Sequence, residues 1–375
     1  MPRRSTSSGP SGPPSPARTT SVRNSRGRRP TISPISDRDA LDGAERILEV
    51  ANGFRAARIL MSAVELGVFS ELRGGPLPLE VVTFRLGLHP RGARDFMDAL
   101  VALGLLNRDD TARYANTTTA GRYLDRNSST YIGGWFEHFG RHEYPHWQHL
   151  TRALTSGEAQ FSAHDGDLYS SLYADDERVA NFAHAMSGAT VLVGQRLAAA
   201  FPWERYGTFA DIGTAEGCLP VQIARTHRHI AGSGFDLPSL RPHFERYVEA
   251  HGLGDRLRFC PGDFLRDVLP AADVLILGRV LHNWDLATKR LVLAKTYEAV
   301  KPGGALIVYE RFIEEDRRSS AAGLLASLNM LVMTAGGSEL TIADCIALME
   351  EVGFEAPRSE VLSADQSMIV GFKGG

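Results

Sequence analysis

From Tyr206 to the end of the chain, short apolar runs alternate with stretches of helical period, and few architectures accept that alternation. Five runs read as strands: TFADIG (208–213), IAGSGFD (230–236), LRFCPGD (257–263), DVLILG (273–278) and ALIVYE (305–310). Helices are predicted near 217–227, 238–252, 286–300 and 341–352. Strand–helix alternation implies a parallel sheet with helices on both faces, an α/β doubly wound, Rossmann-like fold. The closing stretch RSEVLSADQSMIVGFK reads as two antiparallel strands at the edge of that sheet.

Upstream the texture differs. Residues 1–36 are rich in Ser, Pro, Gly and Arg, with seven arginines and no acid, and read as a disordered basic tail. A targeting segment shares that composition, but the tail lacks an amphipathic pattern. Residues 37–130 form a second predicted domain. Ile47, Val50, Ala51, Phe54, Ala57 and Leu60 recur at helical spacing. Two short helices broken near Gly87 and Pro90, then a hairpin and a helix start in ARYANTTTAGRYL, suggest a winged helix-turn-helix. Such a shape often binds DNA, yet Asp37–Asp125 holds 11 basic and 13 acidic residues. A DNA-binding face should be basic, so dimerisation is the favoured use, with no nucleic-acid partner.

The domain spanning 131–375 begins with a helical, aromatic-rich linker over 131–205, carrying Trp135, Phe136, Phe139, Tyr144, Trp147, Phe161, Tyr169 and Tyr173. Several of these are expected to line a cleft for a flat ligand; core packing is the plainer use. No apolar run is long enough to span a membrane. Net charge is -3, too small to draw the chain to an anionic surface. The three cysteines have neither zinc nor disulfide spacing, which suggests a reducing, cytoplasmic setting.

Three features mark a nucleotide site. Asp211-Ile212-Gly213-Thr214-Ala215-Glu216-Gly217 joins a strand to a helix, where glycines let backbone approach a ligand. Asp236 ends the next strand, 19 residues after Gly217, and can accept ribose hydroxyls. Gly262-Asp263-Phe264 ends the third, placing an acid and an aromatic where an adenine could sit. The loop is not the diphosphate-cradling G-x-G-x-x-G, which argues against a nicotinamide enzyme. The fourth strand runs into Arg279-Val280-Leu281-His282-Asn283-Trp284. His282 suits proton abstraction near neutrality. Glu310 ends the fifth strand, where it could come close to His282 and fix the imidazole tautomer, and Glu339 follows a glycine pair in GGSELT. No metal-ligand cluster is evident.

These motifs together resemble the O-methyltransferases of the plant caffeic acid type and their bacterial natural-product relatives, including hydroxyneurosporene and anthracycline enzymes. The resemblance covers roughly 41–372 and is carried by GLLNRDDTARYANTTTAGRYL, NFAHAM, DIGTAEG, FDLP, GDF, VLHNWD, PGGALIVYE and GGSELT in that order. It implies a winged-helix dimerisation domain, a homodimer, and a domain binding S-adenosylmethionine (SAM) without a metal. Asp211, Gly213, Gly217, Asp236, Leu237, Asp263, Phe264 and Arg279 would contact SAM. His282 would be the base, flanked by Glu310 and Glu339. Trp147, Phe182, Met186, Asn283, Met330 and Thr334 would meet a small aromatic substrate.

Five positions, in four places, depart from the family pattern. Thr214 and Ala215 replace glycines, Gly278 stands where a lysine is frequent, Asn283 replaces an aspartate, and Thr334 replaces a substrate-binding asparagine of plant enzymes. The resemblance still admits SAM-dependent hydroxylation or decarboxylation, or methylation at nitrogen or carbon. A metabolite-sensing DNA-binding regulator is the rival from another class.

Overall fold

The computed structural model describes residues 37–161 and 175–375. The predicted tail, Tyr169 and Tyr173 lie outside them. Residues up to Gly53 and those from Phe54 onward form two compact units, and everything that bears on the site belongs to the second.

The N-terminal part contains α1 (Asp37–Glu65), α2 (Val68–Glu71), β1 (Leu77–Pro78), α3 (Leu79–Arg85), α4 (Pro90–Ala102), β2 (Leu106–Arg108), β3 (Arg113–Asn116) and α5 (Thr118–Tyr123). The expected hairpin is present: β2 pairs antiparallel with β3, Leu106 opposite Asn116, and β1 adds to the other side of β3. Its turn is fixed by Asp109, whose Oδ1 accepts the Thr111 and Arg113 amides. Val68, Phe69, Val82, Met97, Leu100, Leu106 and Tyr114 form the local core. The apolar face expected on α1 is not covered: Ile47, Val50 and Phe54 are 71%, 73% and 53% exposed.

Helices α6 (Gly133–His138), α7 (Tyr144–Trp147), α8 (Leu150–Ser156) and α9 (Asp176–Ala200) follow, with a π-helical turn at Phe139–Glu143 between α6 and α7. Next come β4 (Thr208–Ile212), α10 (Cys218–Thr226), β5 (Ala231–Asp236), α11 (Arg241–Ala250), β6 (Leu257–Pro261), β7 (Ala272–Gly278), α12 (Leu286–Ala299) and β8 (Val300–Glu310). The chain ends with α13 (Ala322–Met333), α14 (Ile342–Glu351), β9 (Glu355–Val361) and β10 (Ser367–Phe372). All five predicted strands form, and β9 and β10 close the sheet antiparallel as expected.

The sheet has seven strands in the order β6-β5-β4-β7-β8-β10-β9. From β6 to β8 all pairings are parallel. Strand side chains alternate between faces, and both faces here are buried, which is why the strands read as unbroken apolar runs. Phe209, Val274, Ile276 and Ile307 pack on one side; Ala210, Leu275, Leu277, Leu306 and Val308 pack on the other. The chain goes outward through β4, β5 and β6, then returns to place β7 on the far side of β4. That reversal opens a crevice at the carboxyl ends of β4 and β7, where ligands bind in folds of this kind.

Two details differ from expectation. The helix predicted over 238–252 begins as a 3-10 turn at Pro238–Leu240 before α11, because prolines fit at helix starts but cannot donate within them. Helix α13 was not anticipated: AGLLASLNMLVM is almost uniformly apolar and shows no period. Among the described residues, no helix is long and apolar enough to cross a membrane.

Candidate active site

A single cavity of about 1340 Å³ lies over the carboxyl ends of β4, β5, β6, β7 and β8 and beneath α6, the π-turn, α7, α9 and α13. Each strand end delivers a polar group into it: Asp211 from β4, Asp236 from β5, Asp263 beyond β6, Arg279 beyond β7 and Arg311 beyond β8.

The glycine loop is shaped by its backbone. Gly213 has φ +80° and Gly217 φ +90°, a region that favours glycine. A Cβ on Gly217 would lie 2.7 Å from the Phe244 ring, so this residue lets α10 start against that side chain. Gly217 itself does not line the cavity; Gly213, Thr214 and Ala215 do. The Ala215 amide donates to Asp236 Oδ2 at 2.9 Å, and the Leu237 amide donates to Oδ1 at 2.8 Å. Asp236 is thereby locked in place with further lone pairs to offer. Burial pushes Asp211 up to about 7 and Asp236 up to about 6. Neither has an ion-pair partner among the described residues. Asp263 is more exposed and loosely paired with Arg266 at 3.5 Å. Phe264 meets Trp284 edge to face at 5.9 Å, and both rings line the cavity.

His282 sits in a short 3-10 turn (Leu281–Asn283) just past β7. Its Nδ1 is 2.8 Å from Glu339 Oε1 and 3.4 Å from Glu310 Oε2. Glu310 Oε1 also accepts the Leu281 amide at 3.1 Å, which ties the carboxylate to the turn that carries the histidine. Burial opposes a charged ring, but Glu310 and Glu339 outweigh it and raise the His282 pKa. Burial, together with Glu339, raises that of Glu310. With Nδ1 held, Nε2 has no hydrogen-bond partner among the described residues. Glu310 and Glu339 each keep one buried carboxyl oxygen, Oε2, without a hydrogen bond among the described residues.

Trp147, Phe182, Met186, Met330, Asn283 and Thr334 all line the cavity. Three of them have a polar atom engaged, Trp147 through its indole N–H to Asn329 Oδ1. The Asn283 amide donates to the Arg279 and Val280 carbonyls, and the Thr334 hydroxyl donates to the Met330 carbonyl while accepting the Gly337 amide. Of the other linker aromatics, Trp135, Phe139 and Tyr144 line the cavity; Phe136 packs on the N-terminal core and Phe161 on α13. Arg279 lies with its guanidinium 4.3 Å over the Trp135 ring. Sequence reasoning missed Glu143, Tyr309, Arg311 and Asn329. Only Asn329 left a signal, as the lone amide in the apolar run LLASLNMLVM.

Residues 147–355 match the O-methyltransferase domain, and residues 48–126 match the O-methyltransferase dimerisation domain. The chain belongs to the O-methyltransferase family. It is 41% identical over 331 residues to the tetracenomycin polyketide synthesis 8-O-methyl transferase TcmO of Streptomyces glaucescens, covering 88% of this chain and 97% of that one. It is 37% identical to the N,N-dimethyltransferase OxyT of Streptomyces rimosus, over 84% of this chain and 92% of that one. The crystal structure of human N-acetylserotonin methyltransferase in complex with SAM superposes with a TM-score of 0.82 at 30% identity, covering 88% of this chain and 98% of that one.

Among O-methyltransferases, the glycine at 278 now has a physical reason. A Cβ there would fall 2.1 Å from the Tyr309 ring, which fills the space a longer residue would need. Ala215 holds φ +51° where the family pattern has glycine, a conformation that L-residues rarely adopt.

Proposed function

We propose that this chain transfers a methyl group from SAM to a hydroxyl of a small aromatic molecule, with His282 as the base. The observation that carries the reading is the His282–Glu339–Glu310 cluster, placed over the switch point of the sheet. The other group the reaction needs is a cationic nucleotide derivative, and the residues present fit one. Two buried carboxylates, Asp211 and Asp236, line the cavity without positive partners; their raised pKa values mark the cost that a nearby cation would relieve. Asp236 would take the ribose, Phe264 and Trp284 the flat base, and the Gly213–Ala215 backbone the remainder. SAM, when bound, supplies an activated methyl on a sulfonium.

The chain's own part is positioning and proton removal. Trp147, Phe182, Met186 and Met330 give a flat ring an apolar seat and exclude water, and alignment of the reacting atoms contributes much of the rate. Glu339 holds Nδ1–H, which leaves Nε2 to take the hydroxyl proton as the oxygen attacks. The imidazolium so formed stands against two carboxylates. An amine acceptor attacks through a lone pair it already has and needs no such base, so this cluster favours oxygen over nitrogen.

The partner we propose is a second copy of the chain: the uncovered apolar face of α1 overlaps the dimerisation match. The three-stranded sheet with its helices fits a winged helix used for that contact rather than for DNA. The free cysteines suit the cytoplasm.

The decisive test is His282→Ala, assayed with methyl-deuterated SAM and hydroxylated aromatics by mass spectrometry. Turnover should fall by about 10²–10⁴-fold while SAM affinity by calorimetry is unchanged. Retained turnover would remove His282 from the chemistry.

A further inference from the structure

The cavity holds a second polar centre that proton removal at His282 does not use. Glu143 ends the π-helical turn, and such turns often occur at functional sites. Its side chain is 14% exposed and lines the same cavity as Phe139, Trp147 and Met330. A carboxyl in that setting needs a reason, because burying it costs free energy unless something compensates.

Among the described residues, nothing compensates fully. Among the described residues, the only basic side chain with a nitrogen within 4.0 Å of its carboxyl oxygens is His138, at 3.8 Å. His138 is held neutral: burial, then His142 and Arg279, push it down to about 3. Arg279, Arg311 and His282 act on Glu143 only from further away. Burial outweighs them and lifts Glu143 up to about 7, so that near neutrality the group can donate as well as accept.

The carboxyl is nevertheless aimed. The Trp147 indole N–H donates to Asn329 Oδ1 at 2.7 Å. That bond fixes the amide, leaves its NH₂ for other use, and the Asn329 side chain engages Glu143. Trp147 comes from α7 and Asn329 from α13, so two separate helices set one polar group inside an apolar seat. Glu143 also lies near enough to His282 to feel its charge, which places it in the acceptor half.

We propose that Glu143, set by Trp147 and Asn329, receives a second hydroxyl of the acceptor and so selects polyhydroxylated aromatics over monophenols. This rests on the hydroxyl-methylation reading above. An ammonium group would suit a lone carboxylate, but Arg279 and Arg311 disfavour a cation here; a neutral hydroxyl meets neither objection. Leaving a buried polar group unpaired should separate matched diols and monophenols by about tenfold to a hundredfold.

The test uses the full chain with excess S-adenosylhomocysteine and calorimetric binding of 2-naphthol against 2,3-, 2,6- and 2,7-dihydroxynaphthalene. At least one diol should bind about tenfold tighter than 2-naphthol. Glu143→Leu should erase that preference while leaving 2-naphthol binding nearly unchanged, and Glu143→Gln should keep part of it. No diol preference in the parent protein, or a preference that survives Glu143→Leu, overturns the proposal. If Glu143→Leu does not fold, Trp147→Phe decides, since it removes the N–H that sets Asn329: the preference should drop severalfold, and an unchanged preference overturns the idea. Methyl transfer to the same diols is read separately by mass spectrometry. Selective binding without transfer would sink the methylation reading and spare this one; transfer without selectivity would do the reverse.

Discussion

The cofactor half and the acceptor half of the cavity are built by different means. On the cofactor side, strand ends and a glycine loop present backbone groups and three acids, and the positions follow from the sheet order. On the acceptor side, the walls are side chains from α6, the π-turn, α7, α9 and α13, and the polar groups are set by contacts between helices such as Trp147 with Asn329. The first arrangement fixes what every member of a fold must hold. The second can change with one side chain, which is where substrate choice resides.

The sharpest way to break that division is to disturb the backbone of the first half and ask whether the second survives. Gly217→Val would put a branched Cβ at φ +90° and against the Phe244 ring. Left-handed strain costs about 1–2 kcal/mol and overpacking about 1–3 kcal/mol. SAM affinity should fall about 100-fold by calorimetry, with naphthol binding changed much less. Equal loss of both would mean that the two halves share one rigid frame.

A smaller effect tests the junction between them, where His282 stands. Its pKa is raised above the ordinary 6.5 by Glu310 and Glu339 against burial. A base works only when neutral, so activity should be full above that raised pKa and lost as pH falls through it. Glu339→Gln removes one of the two charges that raise it. The acid limb of kcat/KM should then move to lower pH by about one unit, and the plateau should drop about tenfold as tautomer control weakens. An unmoved acid limb would assign it to another group.

The same division explains what could be read from the sequence. Asp211, Asp236 and His282 were legible because each lies at or just past the carboxyl end of a strand, and a strand end in a parallel sheet has a known place. The Glu339–His282 contact was half legible: the acid stood out in GGSELT, but only the chain's path after α13 brings it to 2.8 Å from Nδ1. Glu143 was not legible. It lies between histidines in a segment whose aromatics read equally well as core, and nothing in HFGRHEYPHW marks a π-turn. Asn283 and Thr334 were noticed for their side chains, yet the fold engages those polar atoms with backbone, which no spacing rule reveals.

The smallest expected effect concerns a place where the cofactor half departs from backbone economy. Ala215 carries a Cβ at φ +51° while its amide holds Asp236. The strain is a cost that the loop's neighbours sustain. Ala215→Gly should remove it in the folded state but adds freedom to the unfolded chain, and the two effects oppose each other. Strain of about 1–2 kcal/mol set against about 0.5–1 kcal/mol of entropy leaves a gain of up to about 1.5 kcal/mol in denaturant unfolding. SAM affinity should stay within about twofold, because the amide that Asp236 uses is kept. A loss of stability would mean that the methyl packs well enough to offset the strain, and a loss of affinity would mean that side chains, not only backbone, shape this half of the site.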